Sequence, residues 1–316
     1  VGRVQRRDPD RRGLELTVAA PELEKPSQPI SAVPVRHPGR WVAVVVLAVL
    51  AAMFVNTVLT NDGFRWDVVG RYLFSAPILN GLQNTLLLTV LSMAIGIVGG
   101  IGLAIMRLSP NPVLTSVAGL YIWVFRGTPL IAQLLFWNFL AALYPQLSLG
   151  VPFGPAFVVF DTNQLITQFA ACLLGLGLNE AAYMAEIVRG GLLSVDEGQT
   201  EAAGALGMSR AQTLRRIVLP QAMRVIIPPT GNETISMLKS TSLVVVIGYF
   251  ELLTSAQRIY SQNFQTIPLL IVVAIWYLAL TSVLSVGQAF VERRYGRGAT
   301  RMSTGGSRMF GMGAQR

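Results

Sequence analysis

The chain has 316 residues, of which 52% are hydrophobic and 13% charged, against about 25% charged in ordinary soluble domains. So few charges cannot clothe a water-facing core, and the mean hydropathy of +0.53 agrees, so a large soluble domain is excluded and most of the chain belongs in a bilayer. The formal net charge of +9 sits on Lys and Arg at the edges of apolar runs, which argues against a nucleic-acid partner that would need one folded basic face.

Residues 1–40 hold six prolines, eight Lys or Arg and five Asp or Glu without apolar periodicity, the composition of a disordered tail. His37, the single histidine, lies in it, so the apolar region has no histidine for catalysis or for a helical metal motif. Trp41 to Leu59 then runs 19 residues without a charge, enough to cross about 30 Å of hydrocarbon as a helix. The run is too long for the apolar part of a secretory signal, and its basic lead-in is too long as well.

Further spans are predicted over Thr85–Met106, Val113–Ala142, Leu165–Val188, roughly Ile235–Ala256, and Ile267–Phe290. The first of these carries a Gly-x-x-x-Gly pair at Gly96 and Gly100, which lets two helices approach closely in lipid. Cys172, the lone cysteine, falls inside an apolar run and reads as a packing residue. The expected fold is an all-α membrane protein of about six transmembrane helices. With six spans, 20 Lys and Arg fall on one side and Arg65, Arg71 and Arg258 on the other. Basic residues resist translocation, so both termini and the 190–222 loop are expected in the cytoplasm and the Leu143–Gln164 loop outside. The basic tail over 293–316 fits the same rule and would lie near membrane lipid or in solvent.

The cytoplasmic loop over 194–220 has the turn chemistry of two short helices at an angle. Ser194 with Glu197 and Ser209 with Gln212 are spaced as capping boxes. Gly207 is placed to end the first helix in a left-handed conformation. Pro220 is expected to interrupt the second, which turns Arg215 and Arg216 to solvent and Leu214, Ile217 and Val218 to something apolar.

Within that elbow, Glu201-Ala202-Ala203, three residues, Gly207, nine residues, Ile217, one residue and Leu219-Pro220 follow one another. This spacing resembles the EAA loop of binding-protein-dependent ABC importer permeases at every defining position. The flanks Gly81-Leu82 with Thr85, Phe125 to Leu130, Ala182-Tyr183 with Glu186 and Arg189, Gly198-Gln199, and Lys239 with Thr241-Ser242-Leu243 are similar to the polar amino-acid uptake permeases. The resemblance covers about residues 78–292 and implies a core of five membrane helices, to which the 41–60 helix is an addition. It also implies that Glu201, Ala202, Ala203, Gly207, Ile217, Leu219 and Pro220 form a coupling element seated in a groove of a separate ATPase. The further partners it implies are a second permease copy or a homologue and an extracytoplasmic amino-acid-binding protein, in a bacterial cytoplasmic membrane.

The residues agree on what this chain lacks. Lys25 and Lys239 are its lysines, and neither stands in the Gly-x-x-x-x-Gly-Lys-Ser/Thr pattern that cradles phosphates. ATP and Mg are therefore expected on the partner ATPase, with no cofactor on this chain, which is not itself expected to be an enzyme. Paired acids, metal motifs or an activated nucleophile for an intramembrane enzyme are not arranged here. An ion-coupled secondary transporter is the rival reading, and it leaves the EAA spacing unexplained.

A zwitterionic cargo needs polar groups along its path, and ionisable residues within spans are the candidates. Asn179 and Glu180 stand in mid-span after Gly175 and Gly177, and Glu180 leads the substrate-path candidates. Arg126, beside Gly127 and Pro129, marks a helix break that either lines a cavity or anchors the helix end. Lys239 has hydroxyl neighbours and Glu233 six residues before it, the makings of a structural or gating pair. Glu186 and Arg189, three apart on one helix face, read as an internal ion pair rather than a substrate contact.

Overall fold

The computed structural model describes residues 38–151 and 155–295. The tail calls over 1–37 and 296–316 lie outside the described residues. The chain divides after Thr60 into two units. The first contains α1, Pro38–Thr60, whose run from Trp41 to Leu59 is apolar on every side, as suits a helix surrounded by lipid. Near its end the hydroxyls of Thr57 and Thr60 donate to Met53 O and Asn56 O one turn back, so neither polar group is left bare.

The second unit begins with a short 3-10 turn at Asp62–Phe64, capped by the Asn61 side chain. Helix α2, Trp66–Leu73, follows and buries Val68 and Val69. Helix α3, Ala76–Arg107, is the longest element at 32 residues and starts with Pro77 in its first turn, where a missing N–H costs nothing. Its partner is α8, Gln168–Leu193, in the most extensive helix pairing of the chain. Gly96 and Gly100 explain the closeness, because a Cβ at Gly96 would stand 2.4 Å from Glu180 Cγ and one at Gly100 2.4 Å from Met184 Cβ. The small-residue pair therefore packs helices as its spacing predicts.

Helix α4, Pro112–Gly127, is capped by the Asn111 side chain, and α5, Leu130–Asn138, leaves it at a bend of 102°. The single span expected over Val113–Ala142 is thus broken at Thr128–Pro129. Proline cannot continue a hydrogen-bonded helix and pushes the residue before it into extended backbone, and Thr128 has φ −112° and ψ 145°. After a single turn, α6 at Leu140–Leu143, the chain forms a hairpin. Strands β1, Gln146–Gly150, and β2, Ala156–Asp161, pair antiparallel with Gln146 opposite Asp161 and Leu149 opposite Val158. A further turn, α7 at Thr162–Leu165, is capped by Asp161 and leads into α8.

Beyond α8 come α9, Glu197–Ala205, and α10, Arg210–Thr213. A π turn at Leu214–Val218 then feeds α11, Leu219–Ser240, and a 3-10 turn at Thr241–Ile247. Gly248, at φ 75°, ends this run, and α12, Leu252–Asn263, departs at 44°. The span predicted over Ile235–Ala256 therefore begins far earlier and breaks inside its own limits. Helix α13, Thr266–Tyr295, completes the unit. Among the described residues four helices are long and apolar enough to cross a membrane, and six spans result if each bent pair is one.

Three apolar clusters hold the unit. Leu88, Leu134, Leu176 and Val244 join α3, α5, α8 and the 3-10 turn. Ile78, Leu252, Leu269 and Val272 join α3 to α12 and α13. Ala104, Met184, Ala222 and Ile226 join the ends of α3 and α8 to α11.

Candidate coupling elbow and transport path

The elbow is built by backbone constraints at its corners. Ser194 is not an N-cap, because its backbone is helical (φ −75°, ψ −13°) and its hydroxyl donates to Gly191 O at 2.7 Å, closing α8 behind it. Asp196 is extended (ψ 131°) and caps α9 by accepting from Gly198 N at 2.8 Å. The predicted Ser194–Glu197 box is replaced by a cap two residues later, since an N-cap residue must stand outside the helical region.

At the other end of α9, Gly207 adopts φ 75°. Met208 N donates to Ala203 O at 3.0 Å and Gly207 N to Gly204 O at 2.9 Å, the paired bonds of a Schellman ending. The Ser209–Gln212 box forms as expected: Ser209 N donates to Gln212 Oε1 at 2.9 Å and Gln212 N to Ser209 Oγ at 3.3 Å.

Pro220 does not interrupt the second arm. It stands in the first turn of α11, and the π turn before it carries the helical path through. The second arm is thus a continuous extension of a membrane helix. Ala203 and Thr213 are buried on the inner side of the elbow, and α9 lies against α10 and the π turn. Glu201, Ala202, Gly207, Leu219 and Pro220 are exposed and Ile217 is half-buried. Leu206, absent from the sequence candidates, is 82% exposed beside Gly207. Its sign in the sequence is an apolar residue placed just before a glycine turn and away from the buried Ala203 face.

The path candidates separate on their contacts. Asn179 Nδ2 donates to Phe125 O at 2.9 Å and to Gln133 Oε1 at 3.2 Å. Gln133 Nε2 in turn donates to Phe125 O, Thr128 O and Thr128 Oγ1. Together they satisfy carbonyls freed by the α4–α5 break, which any break inside lipid requires. Asn179 is therefore committed to the fold, and Gln133, which the sequence reading passed over, is the centre of its network. Arg126, exposed at the end of α4, lies over the Tyr183 ring at 5.2 Å.

Lys239 is exposed and makes no ion pair with Glu233, while Thr241 and Ser242 donate to Leu238 O and Lys239 O, both at 2.7 Å. Within the described residues the ion pairs are Arg65–Asp67 and Arg189–Glu186, the latter at 2.7 Å as the spacing predicts. Glu251 is fully buried and caps α12, accepting from Leu253 N, Thr254 N, Thr254 Oγ1 and Tyr277 OH.

Glu180 is different. Only 4% exposed, it rests its stem on Gly96, and its Oε1 has no hydrogen-bond partner. Glu233 is half-buried on α11, which packs against the α8 helix of Glu180, and Arg126 is exposed at the end of α4. Two carboxylates thus stand on helices that pack together, α8 and α11.

The family model described as "Binding-protein-dependent transport system inner membrane component" matches residues 96–297. The arginine transport system permease protein ArgU of Corynebacterium glutamicum is 50% identical over 279 residues, covering 88% of this chain and 86% of that protein. The glutamine transport system permease protein GlnP of Escherichia coli K12 is 37% identical, covering 73% of this chain and 97% of its own. A crystal structure of an amino acid ABC transporter with histidines superposes with a TM-score of 0.59 at 36% identity, over 69% of this chain and 94% of that one. The MetNI methionine ABC transporter in an inward-facing conformation gives a TM-score of 0.54 at 19% identity over 70% and 99%, a likeness of fold. The chain therefore belongs to the family of binding-protein-dependent transport system inner membrane components, among the amino-acid ABC transporter permeases.

Proposed function

We propose that the chain carries a cationic amino acid of the arginine class across the bacterial cytoplasmic membrane, driven by a separate ATPase that docks on the elbow. The observation that carries this reading is the elbow itself: a Schellman turn at Gly207 and a capping box at Ser209 hold an exposed Glu201-Ala202 face rigidly to α11. A floppy loop would absorb a partner's motion, and this one passes it on. ATP and Mg bind the partner, two permease subunits enclose the path, and an external amino-acid-binding protein delivers cargo. The elbow and both ends of the chain face the cytoplasm in this reading, with the β1–β2 hairpin outside.

Cargo charge is supported by the relative named for arginine at 50% identity. It is also supported by the buried Glu180, whose unpartnered oxygen is an acceptor suited to a guanidinium. Closure of the ATPases moves the elbows, and α11 follows because no break separates it from the second arm.

The test is uptake of labelled arginine by proteoliposomes holding the co-purified complex, with excess lysine, glutamine or glutamate as competitor. ATP-dependent uptake suppressed by lysine and lost in Glu180→Gln is expected. Competition by glutamine alone would overturn the cargo assignment. Uptake that ignores ATP and follows an ion gradient would overturn the importer reading.

A further inference from the structure

A groove of about 900 Å³ opens between α3, α8, α11 and α13, away from the polar network at the α4–α5 break. Its walls carry stripes at helical spacing: Ile97, Ile101 and Ile105 on α3, and Val283, Gly287 and Val291 on α13. The polar side chains of Thr230 and Thr234 in the wall are spent, donating to Ile226 O and Thr230 O at 2.8 and 2.9 Å. Gln288, the remaining side-chain amide of the wall, spends its Nε2 on Pro228 O, Asn232 Oδ1 and Glu292 Oε1 and leaves Oε1 without a partner, a single acceptor that offers a zwitterion's carboxylate nothing to replace its hydration.

Each stripe covers about 12 Å of helix axis, close to one leaflet's share of a hydrocarbon core about 30 Å thick. The groove has a charged end. Leu214 and Met223 in its wall are followed by Arg215, Arg216 and Arg224, and Val291 by Arg293 and Arg294, all exposed. Glu292 stands at the same end, where its Oε1 accepts from Gln288 Nε2 at 2.9 Å. An apolar slot one leaflet deep, with exposed arginines one to three residues along the chain from its wall, matches one chemistry, an acyl chain below an anionic headgroup.

We propose that this groove seats an anionic phospholipid of the elbow-side leaflet, its tail along α3 and α13 and its phosphate against the arginines that flank Leu214 and Val291. The lipid then adds a bridge from the elbow, through Arg215 and Arg216, to the end of α13, beside the bonds that Gln288 of α13 already donates to Pro228 O and Asn232 Oδ1 of α11.

The experiment is native mass spectrometry of the full chain, purified with its associated subunits and offered an equimolar mixture of phosphatidylglycerol and phosphatidylcholine. Retention of phosphatidylglycerol by at least tenfold over phosphatidylcholine is expected. Gly287→Phe sets a ring into the slot, where a Cβ at Gly287 meets nothing within 4 Å, and it should displace the bound lipid. The double variant Arg215→Gln with Arg216→Gln should keep a lipid but lose the headgroup preference by about 25-fold, at roughly fivefold per arginine. Equal retention of the two lipids by the unaltered complex, or undiminished lipid in a folded Gly287→Phe variant, would overturn the proposal. So would a disulfide between two copies of Gly287→Cys, which would make the groove an interface between permeases.

Discussion

Gly207 holds φ 75° with open space where a Cβ would stand, so any substitution there meets resistance from the backbone alone. A left-handed conformation costs an L-residue about 1–2 kcal/mol, least for Asn, and β-branched residues fare worst. Gly207→Val is expected to abolish ATP-driven uptake while the chain still inserts, and Gly207→Asn to keep much of it; vesicle uptake beside a membrane-fraction blot checks both. Equal loss in the two would point to a steric role at the ATPase instead. Gly100 is the opposite case: its added Cβ would lie 2.9 Å from Ala185 N as well as against Met184, so backbone would have to move. Gly100→Ala should lower stability by about 1–3 kcal/mol, read as a lower melting temperature in detergent. Gly102→Ala, two residues on with nothing within 4 Å, should leave it unchanged.

The α4–α5 break shows how elements in lipid settle their own accounts of donors and acceptors. Gln133→Leu strips the Gln133 donor from Thr128 O and leaves Phe125 O with Asn179 alone, and it is expected to cost about 0.6–2 kcal/mol, measured by thermal unfolding in detergent. An unchanged melting point would mean that water or lipid reaches these carbonyls. The break was legible in Gly127 and Pro129, whose local effect needs no partner. The meaning of Asn179 was not, because its partner Phe125 O is 54 residues away, and a polar residue in mid-span announces a need without naming who meets it. The caps divide in the same way. Ser209 with Gln212 formed as spaced, but Ser194 yielded to Asp196 because α8 runs on to Leu193, where Gly191 lets Ile226 of α11 approach. Pro220 followed the rule for a first-turn proline once the π turn had absorbed the junction. The EAA spacing was fully legible, being a local pattern. The missing Lys239–Glu233 pair was not, since six residues of sequence separation do not fix where two side chains point.

Across the second unit, Arg210 to Ile247 forms one helical path from the elbow to Gly248, and α3 with α8 supplies a tightly packed counterpart. In the proposed mechanism a push on the elbow would reach Glu233 on that path, and α11 packs against α8, which carries Glu180. Helices α3 and α13 also have a dimension to reconcile with their surroundings. At 32 and 30 residues they are about 48 and 45 Å long, whereas a hydrocarbon core is about 30 Å thick. Helix α1, with 23 residues, is about 34 Å long and leaves little surplus. The surplus in the longer two has to be taken up by leaning or by standing proud of the surface at Arg107 and Arg293. Leaning makes bilayer thickness an input to the machine, because a thinner membrane tilts the same helices that bound the path and the groove. Uptake in proteoliposomes of increasing acyl-chain length should pass through an optimum. A flat response would place the surplus outside the membrane and leave the lean of these helices indifferent to the lipid around them.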